Sequence, residues 1–373
     1  MARRLAIDGG PCGGKTTIMS RLEDEFKRRD FGVEIVPEAA TYLMEEEQIY
    51  PWDDPFLFQC RVLEKHLVDL RVAEELLEQY GKRGVILCDR GGPSGEAYVS
   101  ADVWSEVLRH MGLTRAKLFH EYSGAIHLVT AADGAREFYT RLNNKTRIET
   151  PEQAIERDLA TRRVWLDFPY HYIVYNPPYG GFERKIENTL EWVQRRFGLE
   201  TDPIESEHKW LVLDQPQYVR QMIASMGSTG VFRMRQNYLR PPQGENVVRR
   251  VRMITYSDDS IEYVYEEKRP TDQVHVRFET PEQYINEEEY KRLLHEELFP
   301  DSHTIEKVRT RIPWQGHTLE IDELEEPEKL IFIEIETPHP DTMVAPPGSF
   351  NLRNVTGVER YTMFGIARGL GLS

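Results

Sequence analysis

The sequence predicts two units of different fold class: an α/β unit with a parallel sheet and crossover helices, then an antiparallel β unit. Three observations lead to this prediction. The chain has 373 residues, which is long for one hydrophobic core. Strand-like and helix-like segments alternate over residues 1–199. From residue 203 to the end, at 373, charged side chains recur two residues apart, which is the period of a β-strand.

The composition is typical of a soluble protein from a reducing compartment. The formal charge of −16 argues against nonspecific nucleic-acid binding and against simple electrostatic adsorption to anionic membranes. Cys12, Cys60 and Cys88 form no disulfide or metal-binding spacing. No signal peptide and no membrane span are predicted. We therefore expect a cytoplasmic protein with no nucleic-acid partner, and a local basic pocket leaves peripheral membrane contact open.

The first unit contains a motif that is typical of phosphate binding. A short apolar strand is followed by G-x-x-x-x-G-K-T at Gly9–Thr16 and by a predicted amphipathic helix over residues 18–29. In this pattern backbone N–H groups surround phosphate oxygens, the lysine contacts the β- and γ-phosphates, and the threonine hydroxyl binds Mg²⁺. The alternative is a glycine-rich turn without a ligand. The predicted nucleotide contacts are Gly9, Gly10, Pro11, Cys12, Gly13, Gly14, Lys15, Thr16 and Thr17.

Other segments of this unit supply further candidate residues. The predicted strand Gly84–Arg90 ends in Asp89, which at such a position reaches Mg²⁺ through water; the alternative is an Asp that caps the next turn. Arg141 and Arg147 lie in a basic stretch that could close over the phosphates, or form a solvated helix face. The remaining predicted elements are strands at 32–36, 125–130 and 173–176 and helices at 55–80 and 183–198.

These residues resemble nucleoside- and nucleotide-kinase-type P-loop proteins, and the nicotinamide-riboside kinases in particular. The resemblance spans about residues 3–198 and depends on Gly9–Thr16, Pro37–Ala40, Asp89–Arg90 and the Arg141–Arg147 stretch. It implies that Glu38 is a catalytic base or lies beside a phosphoryl acceptor, and that ATP or GTP binds. The segment Asn144–Arg147 begins like the guanine-reading N-K-x-D motif but lacks its Asp, so it gives no support for GTP over ATP.

The alternating charges of the second unit have two explanations. In one, an ordinary sheet turns its charged face to water and its apolar face to a core. In the other, the sheet closes into a barrel with the charges inside, which is costly unless a ligand fills the interior. A polyphosphate with a divalent metal fits such an interior, because Lys and Arg bind phosphate oxygens while Glu and Asp bind the metal.

Residues 203–373 resemble the CYTH, or triphosphate tunnel metalloenzyme, family. Glu205-Ser206-Glu207-His208-Lys209 matches its E-x-E-x-K opening strand, and further matches follow in the family's order. The resemblance implies an eight-stranded antiparallel tunnel in which a metal-activated water attacks a terminal phosphoryl group. The resemblance implies that Glu205, Glu207 and Lys209 are catalytic residues, as Asp89 and Glu38 are in the first unit, and that Lys209 also contacts the substrate. The implied ligands of Mg²⁺ or Mn²⁺ are Glu205, Glu207, Glu320, Asp322, Glu334 and Glu336, and the implied triphosphate contacts are Lys209, Arg250, Arg252, Lys268, Arg277, Lys307 and Arg309.

One position departs from that family, and the two-unit order adds a second resemblance. Pro281 stands where the family often has a carboxylate, and Glu282 is the nearest substitute. A kinase-like unit followed by a CYTH-like unit resembles the translocation-defect proteins that affect trafficking of the TRPL channel. Three functions follow: a metal-dependent triphosphatase, a nucleotide switch whose barrel binds phosphatidic acid or phosphoinositides, or a small-molecule kinase.

Overall fold

The computed structural model divides the chain into two compact units, Met1–Phe197 and Gly198–Ser373. It describes residues 2–81, 83–139, 150–199, 204–227, 229–272, 275–279, 282–337 and 342–370, without the side chains of residues 204, 205 and 279. Within these ranges no helix is long and apolar enough to cross a membrane.

The first unit has a parallel β-sheet in the order β2-β3-β1-β4-β5. Its strands are β1 (Arg3–Gly9), β2 (Gly32–Val36), β3 (Gly84–Asp89), β4 (Gly124–Leu128) and β5 (His171–Val174). Its helices are α1 (Lys15–Arg28), α2 (Ala39–Glu45), α3 (Pro55–Tyr80), α4 (Ala101–Met111), α5 (Arg115–His120), α6 (Pro151–Val164) and α7 (Gly181–Arg196). The predicted parallel sheet with crossover helices is therefore confirmed.

The strand order places one candidate site at the carboxyl ends of three adjacent strands. β1 lies between β3 and β4, so Gly9, Asp89 and Leu128 end at the same edge of the sheet. Ligands of open α/β sheets bind at this edge. The strands can stay straight and apolar because both faces are covered: all five residues of β4 are buried.

Helix α6 is fixed at its start by a capping box. Thr150 Oγ1 accepts the Gln153 N–H at 3.2 Å, and Gln153 Oε1 accepts the Thr150 N–H at 2.8 Å. Pro151 follows at the first helical position, where its missing N–H has no helical partner to lose. These contacts determine where α6 begins, and α6 carries Asp158 to the sheet edge described above.

The second unit is a closed antiparallel barrel. Around the ring the strands pair as β6-β14-β13-β12-β7-β8-β9-β10 and back to β6, while β11 adds to β9 and β15 adds to β6. The strands are β6 (Ile204–Val212), β7 (Gly230–Leu239), β8 (Val248–Thr255), β9 (Ile261–Pro270), β10 (Val276–Glu279), β11 (Gln283–Ile285), β12 (Ile305–Trp314), β13 (His317–Glu326), β14 (Ile331–Thr337) and β15 (Leu352–Asn354). The helices are α8 (Pro216–Ser225), α9 (Glu287–Glu297) and α10 (Met363–Ala367). The predicted eight-stranded tunnel barrel is confirmed.

Apolar residues alternate with the charged ones along the barrel strands and form cores of their own. Val219 of α8 packs with Ile312, Leu319, Ile321 and Ile333, all fully buried. On another part of the barrel, Tyr290 and Leu293 of α9 pack against Val251 of β8. Since successive side chains of a strand point to opposite faces, the apolar face is the one that the helices cover, and the charged face is turned to the barrel interior.

Candidate phosphate-binding sites

The phosphate-binding motif forms a tight loop between β1 and α1. Gly9 has φ 150° and Gly14, the residue before α1, has φ 92°. A Cβ on Gly9 would lie 2.4 Å from the Leu128 carbonyl oxygen, and one on Gly14 would lie 2.4 Å from the Phe182 ring. The close backbone carbonyl requires glycine at position 9, and the positive φ favours glycine at position 14. The predicted contacts from Gly9 to Thr17 line this loop and the first turn of α1.

Side chains and backbone from behind the loop hold its carbonyl groups. Asp158 Oδ1 accepts the Gly10 N–H at 3.1 Å and the Thr130 N–H at 2.8 Å. Three consecutive loop carbonyls receive hydrogen bonds: Pro11 from Thr130 Oγ1, Cys12 from the Ala131 N–H (3.3 Å) and Gly13 from Lys185 Nζ (3.0 Å). The C=O and N–H of one trans peptide point in opposite directions. The bonds to Pro11 O and Gly13 O therefore direct the N–H groups of Cys12 and Gly14 to the front of the loop, where a phosphate would lie, whereas the Gly13 N–H donates to Gly10 O at 3.1 Å.

A fully buried carboxylate lies at the end of β1. Asp8 Oδ1 accepts from Arg90 Nη1 at 2.7 Å and from the Gly9 N–H at 2.8 Å. Asp8 Oδ2 accepts from Ser94 Oγ at 2.6 Å and from Trp165 Nε1 at 2.9 Å. Burial alone would raise the pKa of Asp8, but Arg90 and the two side-chain hydrogen bonds outweigh it and lower the pKa below its usual value.

Arg90 also binds the predicted acceptor-side residue. Its Nε donates to Glu38 Oε1 at 2.6 Å, and Thr41 Oγ1 donates to Glu38 Oε2 at 3.2 Å. Burial would raise the pKa of Glu38, but Arg90 and Lys15 outweigh it and lower the pKa. Glu38 is consequently ionised and is a weaker base than a free glutamate. Its predicted role as a base stays a prediction.

Lys15, Thr16 and Asp89 come together at the front of the loop, and they fit a phosphate with its magnesium ion. Burial raises the pKa of Asp89 while Lys15 lowers it, with a net rise. Asp89 Oδ1 is buried without a hydrogen-bond partner, as expected for an oxygen that would accept from a metal-bound water. The Thr16 side chain is exposed in the first turn of α1. Arg141 and Arg147, the predicted closing arginines, lie outside the described residues.

In the barrel, four neighbouring strands carry acidic and basic side chains that pair across the sheet. Lys209 on β6 lies opposite Glu334 on β14, with Nζ 2.5 Å from Glu334 Oε1 and 3.5 Å from Glu207 Oε1. Arg309 on β12 lies opposite Asp322 on β13 and binds it twice, at 2.7 and 2.8 Å. Further pairs are Arg309 with Glu334 (2.9 Å), Lys307 with Asp322 (2.5 Å), Arg311 with Glu320 (3.1 Å) and Arg309 with Glu320.

A second group of charges lies on β8 and β9. Glu266, which is 1% exposed, is within 2.5 Å of Arg250, 3.3 Å of Arg252 and 3.2 Å of Lys268. Arg252 also pairs with Glu282, the residue after the departure at 281. Burial, followed by the neighbouring positive charge of Arg250, lowers the pKa of Arg252 to about 10. One carboxylate thus holds three cations together, an arrangement that leaves net positive charge on this wall.

The two groups face one another across the barrel interior. Burial would raise the pKa of Glu207, but Lys209, Arg277, Lys268 and Lys307 lower it to about 2. Lys268 is on β9 and Lys307 on β12, and neither strand neighbours β6 in the ring. Charges on non-adjacent strands can act on one another in this way only through a shared interior. The structure therefore supports the second explanation of the alternating charges, with the charged side chains inside.

Three further carboxylates of the barrel are Glu336, Glu205 and Glu282. Glu336 is exposed, although its charge still acts on the pKa of Arg252. The backbone of Glu205 pairs with that of Arg277 on β10, while the Glu205 side chain and Pro281 lie outside the described residues. Burial raises the pKa of Glu282 to about 8, so Glu282 carries less negative charge at neutral pH than the aspartate or glutamate it would replace.

The barrel carboxylates have the oxygen chemistry that Mg²⁺ and Mn²⁺ prefer, but four of them, Glu207, Glu320, Asp322 and Glu334, are already paired with cations. Burial raises the pKa of Glu334, with Lys209 opposing and Glu207 adding to the rise. Within the described ranges no three His, Cys, Asp or Glu side chains form a group that could bind a metal. These residues do not make a complete metal site by themselves. Their arrangement suits an anion that replaces the carboxylates as the partner of the Lys and Arg side chains.

Sequence reasoning missed the residues that support both sites from elsewhere in the chain. Asp158 and Lys185 reach the loop from α6 and α7, far from it in sequence. Asp8 was visible only as the residue before the motif. Glu266 lay on a charged strand face beside Lys268, a spacing that could have identified it as the partner of the neighbouring arginines.

Comparison with known proteins agrees with the description of the first unit. Residues 4–185 match the family model of the AAA domain. This match covers the loop, the sheet and the start of α7. No curated protein sequence matches the chain.

Similar solved structures cover less than half of the chain. They include the hypothetical protein NE1496 (TM-score 0.29, 23% identity, 44% of this chain and 97% of that chain) and PH1819 from Pyrococcus horikoshii OT3 (TM-score 0.30, 20% identity, 37% and 80%). A third is HpAC1 from Hippeastrum, described as having a dominant triphosphatase activity (TM-score 0.28, 17% identity, 37% and 81%). The fold described above depends on the strand pairings and not on these likenesses. The resemblance to the TRPL translocation-defect proteins stays a prediction.

Proposed function

We propose that this protein has two phosphate sites: the loop Gly9–Thr17 binds ATP or GTP with Mg²⁺, and the barrel interior binds a triphosphate or polyphosphate. The observation that carries the proposal is the set of buried, mutually paired cations and carboxylates inside a closed barrel. Burying so many charges is expensive unless each finds a partner. A fold that needed only stability would be as well or better served by apolar side chains in the same places.

Binding in the barrel would be an exchange of partners. Lys209 is ion-paired with Glu334, and Arg309 donates two hydrogen bonds to Asp322. A polyphosphate offers many acceptor oxygens, and Arg in particular binds them with two parallel hydrogen bonds. The three cations Arg250, Arg252 and Lys268 all pair with Glu266, and Arg252 also pairs with Glu282. The excess of cations on this wall makes it the first place where we expect phosphate oxygens to bind.

The loop site follows from its geometry and its charge. Lys15 lies among carboxylates and the guanidinium of Arg90, and burial with Arg90 lowers its pKa. An anionic phosphate in front of the loop would reverse that effect and favour the charged lysine. Magnesium, held by Thr16 and through water by Asp89, would neutralise the phosphates further.

Hydrolysis of the barrel ligand is the further step that the CYTH resemblance implies, and we propose it as metal-dependent. The assay is phosphate release from ATP, GTP and inorganic tripolyphosphate with Mg²⁺ or Mn²⁺, for the wild type, Lys15→Ala and Lys209→Ala. We expect release from tripolyphosphate to survive Lys15→Ala and to be lost in Lys209→Ala. Lys117→Ala, an exposed lysine of α5, is the matched control and should behave as wild type.

Two other outcomes would change the proposal. Release from nucleotides alone, lost in Lys15→Ala only, would remove the triphosphatase. Binding to phosphatidylcholine vesicles with and without phosphatidic acid then tests whether the same barrel cations bind a lipid phosphate. Binding that requires both phosphatidic acid and Lys209 would make the barrel a site for lipid head groups. Absence of phosphate release in the first assay and of vesicle binding in the second, together with absence of calorimetric binding of ATP, GTP and tripolyphosphate, would overturn the whole proposal.

A further inference from the structure

Lys185 is a buried lysine without a carboxylate in direct contact among the described residues. Only 1% of its surface is exposed, and its Nζ donates to three oxygens: Val129 O at 2.6 Å, Gly13 O at 3.0 Å and Asn176 Oδ1 at 3.0 Å. All three donors of the ammonium are therefore used. A buried cation held only by neutral acceptors is expensive, since burial penalises the charged form. The position of Lys185 behind the phosphate loop suggests that its charge serves the loop.

The three acceptors belong to the three segments that meet at the site. Val129 follows β4, Asn176 follows β5, and Gly13 is in the loop itself. Asn176 Nδ2 in turn donates to Thr130 O at 2.7 Å and Asp133 O at 2.6 Å, so its amide orientation is fixed. Lys185 thereby ties the loop to the ends of the two strands beside it.

The bond to Gly13 O has a direct consequence for phosphate binding. In the trans peptide that joins residues 13 and 14, holding the carbonyl at the back turns the Gly14 N–H to the front. Backbone N–H groups at the front are what a phosphate-binding loop uses. The positive charge of Lys185 lies behind the same peptide, where it adds to the potential that attracts the anion.

We propose that Lys185 is a positioning residue of the loop site, which orients the Gly14 N–H and places a buried positive charge behind the bound phosphates. This inference depends on the proposed nucleotide binding and deepens it. Lys185 does not touch the ligand; it acts through the loop backbone. Asp158 of α6 is the charged group that acts on Lys185 from the elements packed against it, and the other groups in contact are neutral oxygens.

The charge state of Lys185 gives the inference a readout that a purely structural role would not move. Burial lowers the pKa of Lys185 to about 8, with Asp158 opposing. A bound phosphate favours the charged form of Lys185. The nucleotide affinity should therefore be highest at pH values below 8 and should fall as the pH rises above 8. If binding requires the charged lysine, the affinity falls about tenfold between pH 7 and pH 9.

The test is calorimetric titration of the full chain with Mg²⁺ and the non-hydrolysable analogue of ATP or GTP, whichever nucleotide the wild type binds more tightly. It is run at pH 7 and pH 9 on the wild type, Lys185→Met, Lys185→Arg and the control Arg184→Met, whose side chain is half-exposed on the same helix. We expect Lys185→Met to lose at least tenfold in affinity at pH 7 and Arg184→Met to lose little. Lys185→Arg keeps the charge at both pH values, so its affinity should change less between them than that of the wild type.

Proton uptake separates the outcomes further. The number of protons taken up on binding is measured at pH 8.5 by titration in buffers of different ionisation enthalpy. We expect the wild type to take up a larger fraction of a proton than Lys185→Arg. Because Lys15 is present in both proteins, its contribution cancels in the difference. Equal proton uptake and equal pH dependence in the two proteins would overturn the inference even if Lys185→Met fails to fold. A wild type that binds neither nucleotide would instead overturn the proposed function of the loop and this inference with it.

Discussion

Replacing Asp8 by Asn tests the buried network on which the loop site depends. Asp8 accepts four hydrogen bonds, from Arg90, Gly9, Ser94 and Trp165. An amide has one acceptor oxygen and one donor group in place of the two carboxylate oxygens. Of the two orientations of the amide, the better one keeps the oxygen beside Arg90 and places the new NH₂ beside Ser94 and Trp165. The Ser94 hydroxyl can rotate and accept a hydrogen bond from the NH₂, but the Trp165 N–H can only donate.

The magnitude follows from those contacts. The Trp165 N–H is left buried without an acceptor, which costs about 1–3 kcal/mol, and Arg90 exchanges its charged carboxylate partner for a neutral amide oxygen, which costs about 1.5–3 kcal/mol. The sum is about 2.5–6 kcal/mol, and the usual cost of breaking a buried ion pair on one side, about 3–5 kcal/mol, lies within it. For a unit of this size each kcal/mol lowers Tm by about 2–4 °C, so for about 3–5 kcal/mol we expect a decrease of about 6–20 °C.

The assay is thermal and guanidinium unfolding of the full chain, with Asp24→Asn on the exposed side of α1 as the matched control. The pH dependence has a definite sign: the folded-state pKa of Asp8 is lowered, so its stabilisation is fully present above the usual carboxyl pKa near 4 and is lost as the pH falls below it. The difference between wild type and Asp8→Asn should therefore be constant from pH 7 to 5 and shrink below pH 4. A difference under 1 kcal/mol at pH 7 would refute the reasoning.

Three further predictions concern the loop and the barrel. Lys15→Ala should lower nucleotide affinity by about 2–3 kcal/mol, or about 30–150-fold by calorimetry, because one charge-assisted phosphate contact is lost; unchanged affinity would remove Lys15 from the site. Gly14→Ala should weaken nucleotide binding, because its Cβ would lie 2.4 Å from the exposed Phe182 ring, which must then shift. Gly112→Ala, with φ 65° and open space, should cost only about 1 kcal/mol of stability and leave binding intact. Arg309→Met should lower the free energy of unfolding by about 3–5 kcal/mol, because three buried carboxylates lose a partner, whereas Arg220→Met, at an exposed pair, should cost about 0–1 kcal/mol; similar losses in chemical denaturation would contradict the assignment of a buried network.

The elements with strong local signals could be predicted from the sequence. The helix Pro55–Tyr80 and the strand Gly32–Val36 have the predicted bounds, because a proline and glycines delimit them. Helix α1 begins at Lys15 and not at residue 18, since the first helical hydrogen bond already runs from the Ile18 N–H to Gly14 O at 3.0 Å. Helix α7, predicted to begin at residue 183, likewise begins two residues earlier, at Gly181.

The residues that support the sites could not be predicted in the same way, because they depend on tertiary contacts. Asp158 reads as one more polar residue of an exposed helix until α6 is placed against the loop. Lys185 reads as a charge on the face of α7, next to the exposed Arg184. In the barrel the spacing showed which charges share a face, but only the closed ring of strands shows that this face is the interior.

The most direct test of the two-site account is calorimetric titration of the protein with inorganic tripolyphosphate in EDTA, so that the proposed metal-dependent hydrolysis does not take place. We expect two classes of site in the wild type, of which Lys15→Ala removes one and Lys209→Ala removes the other, with each variant still folded by thermal unfolding. A single class of site that one of the two substitutions abolishes completely, while the other substitution leaves it unchanged, would contradict the claim that both the loop and the barrel bind phosphate.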